Sequence, residues 1–166
     1  MKNSNNTAAA IKQAIELCDS MRHEFVTPEH VLYALTDQLA FFYALTDIDI
    51  NIESVQFPLK EAFDKMERVP DGISYTIEGS EQFTQMMSFA IKQAQNAEVD
   101  MVDVPHIVAA MLMLDDSAAA YTLRGIMGTL QAQFFEALLC YYDGSDTSDE
   151  LLSEEDELDL DHAPWR

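Results

Sequence analysis

The run His23-Glu24-Phe25-Val26-Thr27-Pro28-Glu29-His30-Val31-Leu32 lies about twenty residues from the start of the chain, and part of it returns downstream. The string Ala-Ile-Lys-Gln-Ala precedes it at Ala10 to Ala14 and recurs at Ala90 to Ala94. After the second copy the chain reads Val102-Asp103-Val104-Pro105-His106-Ile107-Val108, which aligns His30 with His106. Tyr43, Leu45 and Ile48 align in turn with Tyr121, Leu123 and Ile126. One unit of roughly 75 to 80 residues therefore occurs twice, the pattern of two similar units sharing a core.

The periodicity is helical almost throughout. Ala10, Ile11, Ala14, Ile15, Leu17, Cys18 and Met21 form one stripe. Thr27 reads as an N-cap and Pro28 as the first helical residue, with Val26 and Val31 spaced as a hydrophobic staple. Asp103 takes the cap role of Thr27 in the second copy. Helices are expected after Thr27, at about 39 to 46, about 52 to 67, from Ser80 to about 97, and at about 104 to 114, 117 to 124 and 129 to 141. Pro58 predicts a kink or restart within the 52 to 67 segment. Asp47 to Ile50 reads as a bend and residues 68 to 79 as the inter-repeat loop. The β-branched run Ile73 to Ile77 is too short and isolated to promise a sheet. The expectation is an all-α fold of about eight helices in two pseudo-symmetric four-helix repeats over 1–142.

Charge separates the remainder. The chain carries 9 Lys+Arg against 30 Asp+Glu, a net charge of -21. Ten of the acids fall between Asp143 and Asp161, where no base occurs. Residues 143–166 therefore read as a flexible acidic linker, unable to bury enough surface to offset ordering entropy. Leu151, Leu152, Leu158 and Leu160 leave open a helical patch there that docks on a partner. So acidic a chain repels phosphate backbones and anionic membranes, and favours basic partners. No apolar run reaches transmembrane length, and the polar start lacks a signal-type core, so a cytoplasmic protein is expected. Cys18 and Cys140 sit in helical patterns and read as buried free thiols.

Catalytic motifs are missing. None of the five glycines is followed by Lys, so there is no phosphate-cradling G-x-x-x-x-G-K-[ST] loop. Neither G-x-S-x-G nor H-E-x-x-H occurs. His23, Glu24, Glu29 and His30 invite a metal reading, but the two histidines are seven apart across a cap rather than at i, i+3 or i, i+4. Packing at a helix start is the plainer account of His30 and His106. Phe41, Phe42, Met86, Met87 and Met113 could line an apolar groove or simply fill the core.

The doubled pattern and the HEFVTPEHVL run resemble the N-terminal domain of Clp-family AAA+ unfoldases, most closely the ClpA type, over about residues 6 to 142. This resemblance implies an adaptor- and substrate-binding domain of a ClpA-like unfoldase. ATP and Mg²⁺ would be bound only by the parent's ATPase modules, and this domain would hold no cofactor. Implied partners are a ClpS-like adaptor, protein substrates and, through the parent, a Clp peptidase, with the domain itself monomeric. By the same resemblance, Glu24 and Glu29 lie on the adaptor-binding surface, with Ser80 and Glu81 beside them and His23 as a lesser member. Lysines at Glu24 and Glu29 are then expected to weaken docking without unfolding the domain. ClpC-type relatives carry Glu-His in both copies and use the acids as twin phosphoarginine pockets. Here the second copy has Pro105-His106, which offers a guanidinium no carboxylate. The alternative is a free-standing double-repeat protein that binds clients or regulates, never joined to an ATPase. A metal-dependent hydrolase is a third class.

Overall fold

The computed structural model describes residues 1–142, so the expected acidic linker and its leucines lie outside the described residues. The described part is helical, as the periodicity predicts. The first copy comprises β1 (Lys2–Asn3), α1 (Asn5–Ser20), β2 (Phe25–Val26), α2 (Pro28–Leu35), α3 (Leu39–Asp47) and α4 (Glu53–Lys65). The second comprises β3 (Glu78–Gly79), α5 (Glu81–Asn96), β4 (Met101–Val102), α6 (Val104–Leu112), α7 (Ala118–Met127) and α8 (Gln131–Tyr142), with one 3-10 turn at Gly128–Leu130. Among the described residues, no helix is long and apolar enough to cross a membrane.

The start of each copy is built by the same local chemistry. Ser4 and Ser80 cap α1 and α5, accepting from the amides of Thr7 and Phe83. Both long helices then end in a Schellman turn, with the amides of His23 and Val99 donating to the carbonyls of Cys18 and Ala94. The turn forces a left-handed residue, and it is not glycine in either copy: φ is 55° at Arg22 and 59° at Glu98. Such a residue costs an L-amino acid roughly 1 kcal/mol. Glu98→Gly should therefore raise stability by about 0.5 kcal/mol, seen as a higher melting temperature. Arg22→Gly should give no such gain, because the Arg22 side chain holds the inter-repeat loop.

Thr27 and Asp103 both form capping boxes in which the third helical residue is histidine. The amides of Thr27 and Asp103 donate to Nδ1 of His30 and His106 at 3.0 and 2.9 Å. The repeated Ala-Ile-Lys-Gln-Ala string also has a packing reason. Ala10, Ala14, Ala90 and Ala94 are all buried, and their small side chains let α1 approach α2 and α5 approach α6 closely.

The two copies are interlocked. β1 pairs in parallel with β4, Lys2 opposite Met101, and β2 pairs in parallel with β3, Phe25 opposite Glu78. The strand before each copy's long helix thus pairs with the strand before the other copy's second helix. The later helices trade partners too: α3 packs on α8 and α4 on α7. A single core results, with Leu32, Leu35, Phe41, Leu59, Phe63, Met86, Met111 and Phe134 almost wholly excluded from water.

Several expectations are corrected. α4 passes through Pro58 without a restart. Pro58 is exposed, so water can reach the carbonyl one turn earlier that its missing amide leaves free. Cys18 is buried, as its helical pattern predicts, and burial, reinforced by the nearby Asp19, pushes its thiol up to about 12. Cys140 is exposed, because it falls on the outer side of α8 while Leu138 and Tyr142 face in. The five groove candidates do not share one surface: Phe41 and Met86 are core, Met87 is half-buried, and Phe42 and Met113 are exposed.

Candidate docking site

His23, Glu24, Glu29, Ser80 and Glu81 all line one cavity of about 750 Å³ where the two copies meet. The pairing of β2 with β3 brings them together. It places Glu24 and Phe25, just ahead of α2, beside Ser80 and Glu81 at the start of α5. Glu24 and Glu81 are exposed and Ser80 is half-buried, its hydroxyl engaged in capping α5. Phe25 is 44% exposed and Ile73 56%, so the opening carries apolar as well as acidic surface. Glu67 and Arg68 complete the charged part of the lining.

The third wall is the loop from Met66 to Tyr75, and Arg22 holds it. From its left-handed position after α1, Arg22 donates to the carbonyls of Val69, Pro70 and Ile73 at 2.8 to 2.9 Å. Its own carbonyl accepts from the Val69 amide at 2.8 Å. The guanidinium lies 5.1 Å from the centre of the Tyr75 ring, and the Tyr75 hydroxyl donates to Asp19 at 3.0 Å. Nothing in the sequence marks Arg22 for this task. The Pro70-Asp71-Gly72 run signals the turn but not the residue that grips it.

Two of the five residues are committed elsewhere. Glu29 is only 4% exposed. Its Oε2 accepts from the Ser117 hydroxyl at 2.8 Å and from the Ala119 amide at 2.9 Å. One carboxylate thus serves the first turn of its own helix and the N-terminus of α7, where the backbone dipoles favour negative charge. A lysine there would be buried against those donors, which contradicts the expectation that Glu29→Lys leaves the fold intact. His23 is 2% exposed, and its Nδ1 lies 3.0 Å from Nε2 of His30.

The protons of that pair can be placed by elimination. The Thr27 amide donates to Nδ1 of His30, so neutral His30 carries its proton on Nε2 and donates it to Nδ1 of His23. The His23 proton then sits on Nε2, which makes no well-formed hydrogen bond among the described residues, although the Phe63 backbone pulls weakly on the ring. His30 also stacks on Phe63 with ring centres 4.8 Å apart. Burial, followed by the neighbouring His23, holds His30 down at about 3, and burial with the charge of Arg68 lowers His23. His106 is lowered as well, by burial against the opposing pull of Asp103. The ring nitrogens of His23 and His30 face each other, and no group of three or more His, Cys, Asp or Glu among the described residues is placed to hold a metal ion.

The sequence pattern of the Clp repeat (R) N-terminal domain matches residues 2–126, three quarters of the chain. The chain belongs to the Clp repeat N-terminal domain family. No curated protein matches it. Solved structures similar to this Clp N-domain include the Hsp104 N-terminal domain from Candida albicans, with a TM-score of 0.67 at 15% identity, over 84% of this chain and 90% of that one. Another, described as part of a malarial protein secretion system, has a TM-score of 0.65 at 19% identity, over 84% and 93%. These likenesses show the fold. The family is a non-catalytic domain, so what this Clp N-domain offers at the cavity is a surface. Acids at the rim can take basic groups, and Phe25 and Ile73 can take an apolar side chain.

Proposed function

We propose that this domain is the adaptor- and substrate-binding N-domain of a ClpA-like unfoldase that feeds a Clp peptidase. Clp N-domains in general bind substrates and adaptors. The observation that carries the reading here is the convergence of Glu24, Ser80 and Glu81, from opposite copies, around one opening with exposed apolar residues. A ClpS-like adaptor would dock with a basic or donor-rich face and hand its cargo to the motor. ATP and Mg²⁺ would be handled by other modules of a cytoplasmic parent, and the domain would act as a monomer. Segment 143–166 would serve as the tether that keeps captured substrate close to the motor.

Calorimetric titration with the source organism's ClpS-like protein at two salt concentrations tests the reading. One-to-one binding that weakens with salt is expected. Glu24→Lys with Glu81→Lys should weaken it about ten-fold or more at low salt, with the melting temperature held, since both side chains are exposed. Equal affinity for the double variant would remove these residues from the interface.

A further inference from the structure

A second surface, on the face formed by α3 and α8, lies apart from the cavity. Leu39, Phe42 and Tyr43 stand at i, i+3 and i+4 on α3 and so share one side of the helix. They are 68%, 41% and 45% exposed. The Phe42 and Tyr43 rings are 5.9 Å apart, and Tyr43 lies 5.7 Å from Tyr141, which carries the stripe across to α8. The opposite side of α3 is already used: Phe41, Ala44 and Leu45 are buried, and Phe41 meets Phe134 edge-on. This helix thus has two apolar sides, and among the described residues only one of them is covered, whereas a surface helix ordinarily turns a polar side outward.

Charge selects what would cover the other. No Lys or Arg occurs from His23 through Leu59, or from Gly125 through Tyr142. The exposed charged residues in α3 and its flanking turns, Asp37, Asp47 and Asp49, are all acids. Asp47 accepts from the Tyr141 hydroxyl at 3.1 Å, which fixes that ring within the stripe. We propose that this face docks a basic amphipathic helix of a partner protein, its apolar side on Leu39, Phe42, Tyr43 and Tyr141 and its lysines or arginines against the flanking acids. A second copy of this acidic chain would meet repulsion there.

The test is an amide-shift titration of the isotope-labelled full chain. The probe is a synthetic Leu/Lys amphipathic helix of about four turns, long enough to be helical once bound. The control is its Leu/Glu counterpart. Saturable shifts within Leu39–Asp47 and at Tyr141 are expected with Leu/Lys and none with Leu/Glu. Phe42→Ser with Tyr43→Ser should bind at least about ten-fold more weakly, whereas Glu24→Lys with Glu81→Lys should bind as the parent does. Shifts centred on the Glu24–Ser80 cavity, equal binding of the Leu/Glu helix, or undiminished affinity in the serine variant would overturn the proposal. So would concentration-dependent dimerisation that the serine variant abolishes. Should that variant fold poorly, the shift map of the parent protein decides alone.

Discussion

Replacing Glu29 by alanine should lower the stability of the domain by about 3 kcal/mol, a large loss for a single substitution in the first turn of a helix. The magnitude follows from what is left behind. Truncation strands a buried hydroxyl and a buried backbone amide at the start of α7, and each unsatisfied group carries a desolvation penalty of roughly 1 to 3 kcal/mol. It also removes the negative charge that the α7 N-terminus favours. Glu29→Gln keeps an acceptor in place and should lose about half as much. Ser117→Ala should cost about 1 kcal/mol, because the Ala119 bond survives. Urea denaturation of the three variants ranks them. A loss below about 1 kcal/mol for Glu29→Ala would mean that the link to α7 contributes little in solution. The result also governs how docking data are read, since weak adaptor binding by a Glu29→Lys variant would report a damaged fold rather than a missing contact.

Acidification should produce the second large effect, and its window follows from the histidines. Unfolded histidine titrates near 6.5, whereas folded His30 is held at about 3, with His23 and His106 also lowered. Above pH 6.5 both states are neutral and the full stability is present. Below it the unfolded chain takes up protons that the folded domain refuses, so stability falls as the pH drops toward 3. Between pH 6.5 and 5, where ordinary carboxylates stay ionised, the expected loss is roughly 2 kcal/mol. The resistance has a structural cause. The acceptor nitrogen of His30 already takes the Thr27 amide, so a proton placed there would set one donor against another and open the capping box. Denaturation midpoints at pH 6.5, 5.8 and 5.0 measure the loss. A flat profile would mean that the pair is not buried and neutral as described, and His30→Gln should reduce the slope while leaving the part that His106 contributes.

Glu29 also shows where sequence reasoning stops. An acid in the first turn of a helix looks the same whether it faces water or a second helix. Only the arrival of Ser117, 88 residues later in the chain, decides between them. The helices, most of their caps and the doubling were legible because each rests on local spacing: Thr27 and Asp103 as caps, alanines four apart, Ser80 at the start of the second long helix. The convergence of Glu24 with Ser80 and Glu81 was reachable only through family resemblance, because the two-residue strands that join them are too short to leave a periodic trace. Cys140 was misplaced because α8 is apolar on more than one side, so its pattern does not single out the inner one. Arg22 gave no warning, since its role depends on a loop more than forty residues away.

The copies differ in one further respect. Where Glu29 reaches α7, the matching position in the second copy is Pro105, and Gln38 at the start of α3 makes no side-chain cap. Gln38 instead donates to the Asn6 carbonyl and accepts from the Tyr142 hydroxyl. One junction is built on a carboxylate and the other on neutral groups, so charge changes at the two should not be equivalent.

The exchanged strands bear on how such a chain could have arisen. A single copy expressed alone would lose the partners that both of its short strands have here, and its third and fourth helices would lose the surface that the other copy lends them. Two such copies, however, could satisfy one another completely by reciprocal donation about a two-fold axis. The linear double repeat thus has the reciprocal arrangement of a symmetric dimer, held in one polypeptide. In one polypeptide the two halves need not be identical, as a homodimer under strict symmetry requires, and the glutamate present at one junction but not at the other is what that freedom permits.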